Sequence, residues 1–303
     1  MSTTLRELFD QSVGFLSSRN LYYGHGVETA EDEVLLLLMF VLDMDYATFN
    51  TQPDYEVHPE QKLQAENLLR KRVEQRIPMA YVVGFSVFAG LRFKVDHRVL
   101  IPRSPFAELI DLGFNPWIGF ETATTVLDLC TGSGCIGLAI AHYFEQAQVD
   151  VSDISSDALE LAKTNKRLLG LGANVSVIES DLFAEISGQY DLIVSNPPYV
   201  DEEEFAALPD EYTYEPKQAL VSDRSGMEIP VKILFEAPNH LSEQGFLFLE
   251  VGYNDEVLED FFPDISFEWV HLSMGGQGIC VFSREDLLKY NPLFKSFLQD
   301  NVT

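Results

Sequence analysis

TTVLDLCTGSGCIG (124–137) runs from apolar and β-branched residues straight into two glycines one residue apart. Residues 124–130 have the length and composition of a buried strand, and the stretch from about Cys135 to Phe144 that of a helix. A strand, a glycine turn and a helix in immediate succession begin a βα unit, and such units recur downstream. VDVSDIS (149–155), NVSVIES (174–180), YDLIVS (190–195) and FLFLEVG (246–252) read as strands. DALELAKTNKRLL, capped by Ser156, and residues 228–241, bent at Pro238, read as helices. FEWVHLS and GICVFS read as a closing antiparallel pair, with GGQG (275–278) as its turn. The alternation predicts an α/β fold, an open and mostly parallel sheet with helices on both faces.

Upstream the pattern is different. Leu5, Leu8, Phe9, Val13 and Leu16 fall near helical spacing. Thr29 is placed to cap a second helix whose first turn carries Glu31, Asp32 and Glu33, and a third starts near Pro59 and runs to about Arg76. In VVGFSVFAGLRFKVDHRVLIPR (82–103), Leu91, Phe93 and Val95 alternate with charged residues, a half-buried strand with Ala89-Gly90 as hairpin turn. Ser104 and Pro105 then open another helix. Three units are expected: helices over 1–80, a β-hairpin linker over 81–103, and the α/β part over 104–303. His25, in the glycine-flanked YYGHG (22–26), either touches a ligand or decorates a turn.

Composition narrows the function. The longest apolar run, Val34 to Leu42, is nine residues, against roughly 20 for a membrane span. The N-terminus shows no signal-peptide pattern. Three cysteines without a CxxC spacing fit reduced thiols and a cytoplasmic location. No His/Cys/carboxylate cluster has metal-ligand spacing. The net charge of −28 divides into −4 over residues 1–100 (10 basic, 14 acidic) and −24 over the remainder (10 basic, 34 acidic). Such a surface repels nucleic acid and attracts a basic protein; it also serves plain solubility.

In an open α/β sheet, ligands bind beyond the carboxyl ends of the strands. There Gly132 and Gly134 admit a close ligand, flanked by Thr131 and Ser133. Asp153, 21 residues after Gly132 and followed by Ile154, is placed for ribose hydroxyls. Asp181, followed by Leu182, is placed for an adenine amine. Asp128 would repel a pyrophosphate but suits the ammonium end of S-adenosylmethionine. Either acid also serves as a cap, Asp128 of a turn and Asp181 of a helix.

The fourth strand delivers SNPPYV (195–200) to the same edge. Prolines carry no N–H, and a residue before proline is held extended. The motif therefore presents acceptors, the Asn196 side-chain oxygen and the Pro197 carbonyl, with Tyr199 as a flat wall. Two fixed acceptors suit a planar NH₂ group. Read blandly, the motif is only a rigid turn.

DLCTGSGCIG with SNPPYV resembles the class I S-adenosylmethionine-dependent methyltransferases that act on planar nitrogens. Their fold is Rossmann-like, a mostly parallel seven-stranded sheet with an antiparallel last strand. The whole chain, including KVDHRVLIPR and EPKQAL (215–220), resembles the protein-(glutamine-N(5)) methyltransferases of the HemK/PrmB family. The resemblance implies S-adenosylmethionine as cofactor, S-adenosylhomocysteine as product, and a small N-terminal helical domain that recognises substrate. It assigns Asn196, Pro197 and Tyr199 to catalysis, and Asn196, Pro197, Pro198, Tyr199 and Arg103 to substrate. Asp128, Thr131, Gly132, Ser133, Gly134, Asp153, Ile154, Asp181, Leu182 and Asn196 fall to the cofactor. PRSPFAEL (102–109), where the release-factor branch has PRPETE, is similar to the branch that methylates large-subunit ribosomal protein three, as is YYGHG. VSDRSGM (221–227) and Pro230 depart from the family's more glycine-rich pattern.

Two substrates compete with that ribosomal protein: peptide chain release factors, and an exocyclic amine of an rRNA or DNA base, which the acidity disfavours. A binding factor without chemistry and a nicotinamide oxidoreductase fit the motifs less well. DEEEFAALPDEYTYE (201–215), with seven acids and no base, is expected at the rim of the site, where it would steer a basic substrate or simply be solvated.

Overall fold

A computed structural model describes residues 3–120 and 124–299, so the outermost residues of the first and last expected units lie outside the described residues. The N-terminal helices are α1 (Leu5–Ser17), α2 (Ala30–Leu42), α3 (Tyr46–Thr51), α4 (Pro59–Gln75) and α5 (Met79–Val83). A short ribbon, β1 (Thr3–Thr4) against β2 (Glu56–Val57), ties their ends. Thr29 caps α2 reciprocally with Asp32, a capping box. The apolar body of α2 is buried on nearly every side because α1, α4 and α5 all pack on it.

The linker hairpin is β3 (Phe85–Phe88) with β4 (Leu91–Lys94). Ala89 and Gly90 both have positive φ (47° and 76°), the signature of a type I′ turn. Phe93 and Val95 point inward and Arg92 and Lys94 outward, as the alternation predicts.

After α6 (Phe106–Asp111) come β5 (Thr125–Leu129), α7 (Cys135–Tyr143), β6 (Gln148–Asp153), α8 (Ser156–Leu168), β7 (Val175–Glu179) and β8 (Tyr190–Ser195). Then follow α9 (Glu202–Ala207), α10 (Glu228–Glu236), β9 (Leu241–Glu250), α11 (Asp255–Phe261), β10 (Glu268–Trp269), β11 (Ile279–Ser283) and α12 (Arg284–Gln299). The seven-stranded sheet runs β10-β11-β9-β8-β5-β6-β7, and β11 is antiparallel to both neighbours. This is the expected architecture. Val126 and Val194 face one core with α6 and α7, while Leu127 and Ile193 face the other with α10 and α12. Strands covered on both faces are continuously apolar for that reason.

Local expectations shift in four places. The cap of α8 is Ser155, one residue earlier than read; its Oγ accepts from Ala158 N, while its own N–H goes to Asp153. The helix at 228 stops at Glu236, and Pro238 sits in a separate 3₁₀ turn rather than a bend. β9 therefore begins at Leu241, earlier than expected, with an irregular register opposite Tyr190–Leu192. Glu33 is no exposed dipole acid but a buried partner of Arg72.

At 221–227, where a glycine-rich loop is usual, Arg224, Ser225 and Gly226 are all left-handed (φ 56°, 54°, 81°). A Cβ on Gly226 would stand 2.0 Å from the Tyr199 carbonyl oxygen. Gly226→Ala is thus expected to cost more than about 2 kcal/mol, and Ser225→Gly to stabilise by about 1 kcal/mol, in urea denaturation.

Candidate active site

β5 and β8 lie side by side where the strand order reverses, the position at which open α/β sheets bind ligands. The glycine loop leaves β5 and is tied down from below and both sides. Asp128 Oδ2 accepts from Thr131 Oγ1 at 2.5 Å and Gly137 N at 2.8 Å. Asp153 Oδ2 accepts from Gly132 N at 2.9 Å. Asn165 of α8 donates to Ser133 O at 2.8 Å. Gly137 has no room for a side chain: a Cβ there would meet Val151 Cγ1 at 2.6 Å and Asp128 Cβ at 2.8 Å. Gly132, Gly134 and Gly137 have the GxGxxG spacing that dinucleotide sites share, so spacing alone does not choose the ligand.

A cavity of about 260 Å³ opens above this loop. Its lining includes Thr131, Gly132, Ser133, Asp153, Ile154, Asp181 and Leu182. Asn196, Pro198 and Arg103 line it as well. Among the described residues nothing hydrogen-bonds the Asn196 side chain, so its amide is free to take a ligand.

Four expected site residues do not line the cavity. Asp128 lies beneath the loop as a staple, and burial raises its pKa to about 7 against the hydrogen bonds from Thr131 and Gly137. Its Oδ1 has no partner. Gly134 turns the loop, its N–H on Thr131 O. Pro197 is buried behind Asn196. Tyr199 is a strut rather than a wall. Its hydroxyl stands 3.4 Å from Glu250, its carbonyl accepts from Asn254 Nδ2 at 2.7 Å, and its ring lies on Gly252.

Several lining residues escape the sequence reading: Arg98, Ser104, Pro216, Gln218 and Lys232. Ser104 stands inside PRSPFAEL, two residues before α6, whose N-cap is Pro105 rather than the expected Ser104; its hydroxyl accepts from Phe106 N and donates to Glu250 at 2.5 Å. Glu108 of the same motif accepts from Ser273 and Met274, which pins the turn at 275–278. Gln218 sits in EPKQAL. Lys232 of α10 pairs with Glu228 and carries no local signal.

Residues 118–223 match the family described as Methyltransferase small domain, and residues 21–84 the PrmC N-terminal domain. The ribosomal protein uL3 glutamine methyltransferase of Francisella tularensis subsp. tularensis is 39% identical over 298 residues, 98% of this chain and 95% of that protein. Its counterpart from Xanthomonas campestris pv. campestris is 42% identical over 289 residues, covering 95% and 94%. This chain belongs to the ribosomal protein uL3 glutamine methyltransferase family. The solved hMettl16 catalytic domain shares the fold at 14% identity, with a TM-score of 0.52 over 81% of this chain and 84% of that one.

In this member of the uL3 glutamine methyltransferase family the acidic run is not uniformly solvated. Glu202, Glu203 and Glu204 are exposed, but Glu211 and Glu215 are buried. Arg72, itself buried, holds Glu33 at 2.9 Å and lies 3.5 Å from Glu211. Arg76 Nη2 reaches Glu211 at 2.9 Å. Arg103 grips Glu215 with both terminal nitrogens, at 2.6 and 2.8 Å. Burial opposes ionisation of Glu215, yet the adjacent guanidinium outweighs it and holds the carboxyl below its usual range.

His25 is neither a cavity residue nor a turn ornament. It is 4% exposed, lies tilted against the Tyr212 ring at 4.4 Å and stands 3.8 Å from Glu215. Burial lowers its pKa to about 4, against the pull of Glu215. A histidine depressed in the folded state binds its proton more readily when unfolded. Its contribution is therefore intact above about pH 6.5 and is lost as pH falls towards about 4. Relative to His25→Asn, the wild type should lose up to about 3 kcal/mol of unfolding free energy across that window. Denaturation of both proteins at a series of pH values checks this.

Proposed function

We propose that this chain transfers a methyl group from S-adenosylmethionine to the side-chain amide nitrogen of a glutamine in ribosomal protein uL3. The observation that carries the reading is the unengaged Asn196 amide, held beside the glycine loop at the reversal point of the sheet, in a chain of this family. The uL3 substrate rests on the names of the curated relatives.

The residues present suit the donor. Asp153 presents a carboxylate oriented by the Gly132 and Ser155 amides. Asp128 Oδ1 is a buried acceptor without a partner beneath the loop. Both fit a ligand rich in donors, an ammonium and ribose hydroxyls. The sulfonium of the bound donor supplies an electrophilic methyl group.

An amide nitrogen is a poor nucleophile because its lone pair is delocalised into the carbonyl. Two acceptors that take both its hydrogens favour a pyramidal nitrogen and aim the freed lone pair. The Asn196 oxygen, which lines the cavity, is one of those acceptors; the Pro197 carbonyl is assigned the second role, although the residue itself is buried outside the lining. Prolines at 197 and 198 keep the backbone stiff and remove donors that would compete. Placement of this kind lowers barriers by up to roughly 7–11 kcal/mol in good intramolecular cases. The reaction is assigned to the cytoplasm, where thiols such as Cys130, Cys135 and Cys280 stay reduced.

With radiolabelled S-adenosylmethionine and separated ribosomal proteins, release factors and rRNA, the label is expected on a glutamine of uL3. Label in release factors or rRNA alone sinks the reading. Asn196→Ala should lower kcat by roughly 10²–10³, with S-adenosylhomocysteine affinity little changed in calorimetry. Loss of that affinity would reassign Asn196 to the cofactor.

Steering of a basic substrate now rests on the exposed acids of α9. Replacing Glu202, Glu203 and Glu204 together by Gln should slow association with uL3, more so at low salt. Stopped-flow association rates that match the wild type at low ionic strength would leave these acids with solubility alone.

A further inference from the structure

The chain leaves the sheet after Ser195, and beyond the motif Val200 pairs in parallel with Val221 in an isolated bridge. Between these points run α9, a tip over residues 210–215 and a returning limb. Pro216, Gln218 and Ala219 of that limb line the same cavity as Asn196 and Pro198.

The tip is fastened to the N-terminal helices and not to the sheet. Glu211 Oε1 accepts from Tyr22 N at 3.0 Å, and Oε2 accepts from Arg76 at 2.9 Å. Arg72 closes the ring by donating to Tyr22 O at 2.8 Å. The Tyr214 hydroxyl donates to Gln75 O at 2.5 Å. Glu215, where the returning limb begins, accepts from Ile101 N at 3.0 Å and from Arg103.

We propose that Glu211 and Glu215 make residues 210–215 a strap through which the N-terminal helices set the wall of the methyl-transfer cavity. These helices then act on the chemical step itself as well as on substrate recognition. The inference rests on the glutamine methyltransferase reading above.

The energetics favour geometry over stability as the role of this cluster. Arg72 and Glu211 are both 0% exposed and Glu33 is 2% exposed. Desolvating charges roughly cancels their attraction, so buried ion pairs are a weak source of stability. They are unforgiving of displacement, because a shift leaves a buried charge unpaired. Arg72 and Arg76 face Glu33 and Glu211, with the exposed Asp210 3.6 Å from Arg76, so the buried groups have one well-matched arrangement. Beyond the strap, the returning limb is held by a 3₁₀ turn (Lys217–Ala219), the bonds between Val200 and residues 220–222, and the exposed Lys217, which reaches Glu202 of α9 at 2.5 Å. A wall displaced by about 1 Å is enough to cost a large factor in rate.

A strap and a simple recognition surface predict opposite kinetics. With full-length uL3 at saturating concentration, Glu211→Gln should lower kcat about tenfold or more, while KM for uL3 and Kd for S-adenosylhomocysteine move by less than about threefold. Arg76→Met, at the exposed edge of the cluster, should give a smaller loss of kcat in the same direction. In the free enzyme, Glu211→Gln should also speed amide hydrogen exchange at Val200 and residues 220–222 by about tenfold, with the sheet amides unchanged. A raised KM at unchanged kcat, or unchanged exchange at those amides, overturns the strap. Should wild-type enzyme label no glutamine, the reading of the reaction fails, and the exchange measurement still decides whether the strap exists.

Discussion

Parallel pairing of β5 with β8 sets Leu129 opposite Ser195, and the Ser195 hydroxyl locks that register onto Leu129 O at 2.7 Å. One residue beyond these partners the two chains diverge, one into the glycine loop and the other into Asn196. On its other edge β5 places Leu129 opposite Ser152, which brings Asp153 to the same level. β6 then sets Asp153 opposite Glu179, two residues before Asp181. Four strand ends thus arrive in one row through strand pairing. What fixes the row is the burial of both faces of the strands, since a slip of one residue would turn Leu127 and Ile193 to the wrong core.

This is why the sheet and half of the site were legible in the residues. Continuous apolar runs mark doubly covered strands, and their ends are where chemistry collects. Asp153, Asp181 and Asn196 are read correctly to the cavity because each needs only the strand before it. Asp128 and Tyr199 fall outside the cavity lining because their positions depend on neighbours far along the chain. Asp128 is enclosed by α7 through Gly137, and Tyr199 by residues 226, 250, 252 and 254. Glu211 lies 139 residues from Arg72, and local composition gives no sign of that partner. An acidic run looks the same whether it faces water or a buried guanidinium.

Four of the buried acids of the α/β part fall into two electrostatic kinds. Against burial, Glu211 has the Tyr22 amide and then Arg76, and Glu215 has Arg103, so both are held below the ordinary carboxylate range. Asp128 and Glu250 have no cation in hydrogen-bond contact, and burial raises each to about 7. The first kind joins the N-terminal helices and the linker to the post-motif segment. The second kind braces the two loops nearest the reaction. Glu250 spans Ser104 and Tyr199, and so connects PRSPFAEL to SNPPYV through one carboxyl group.

That brace changes what the aromatic in SNPPYV does. A tyrosine whose hydroxyl, carbonyl and ring are each held by a different partner is not available to close over a substrate. Its value lies in stiffness: it fixes the end of a segment whose start is fixed by β8. Between these anchors, two prolines leave the Asn196 side chain and the Pro197 carbonyl little freedom to move. Gly226 must remain glycine because the Tyr199 carbonyl occupies the space of a side chain. The left-handed Arg224 and Ser225 beside it are strained relative to glycine, a local cost that this tight packing sustains. In the proposed reaction, selectivity for a flat NH₂ group would come from acceptors held at a fixed separation, with rigidity supplied from outside the cavity.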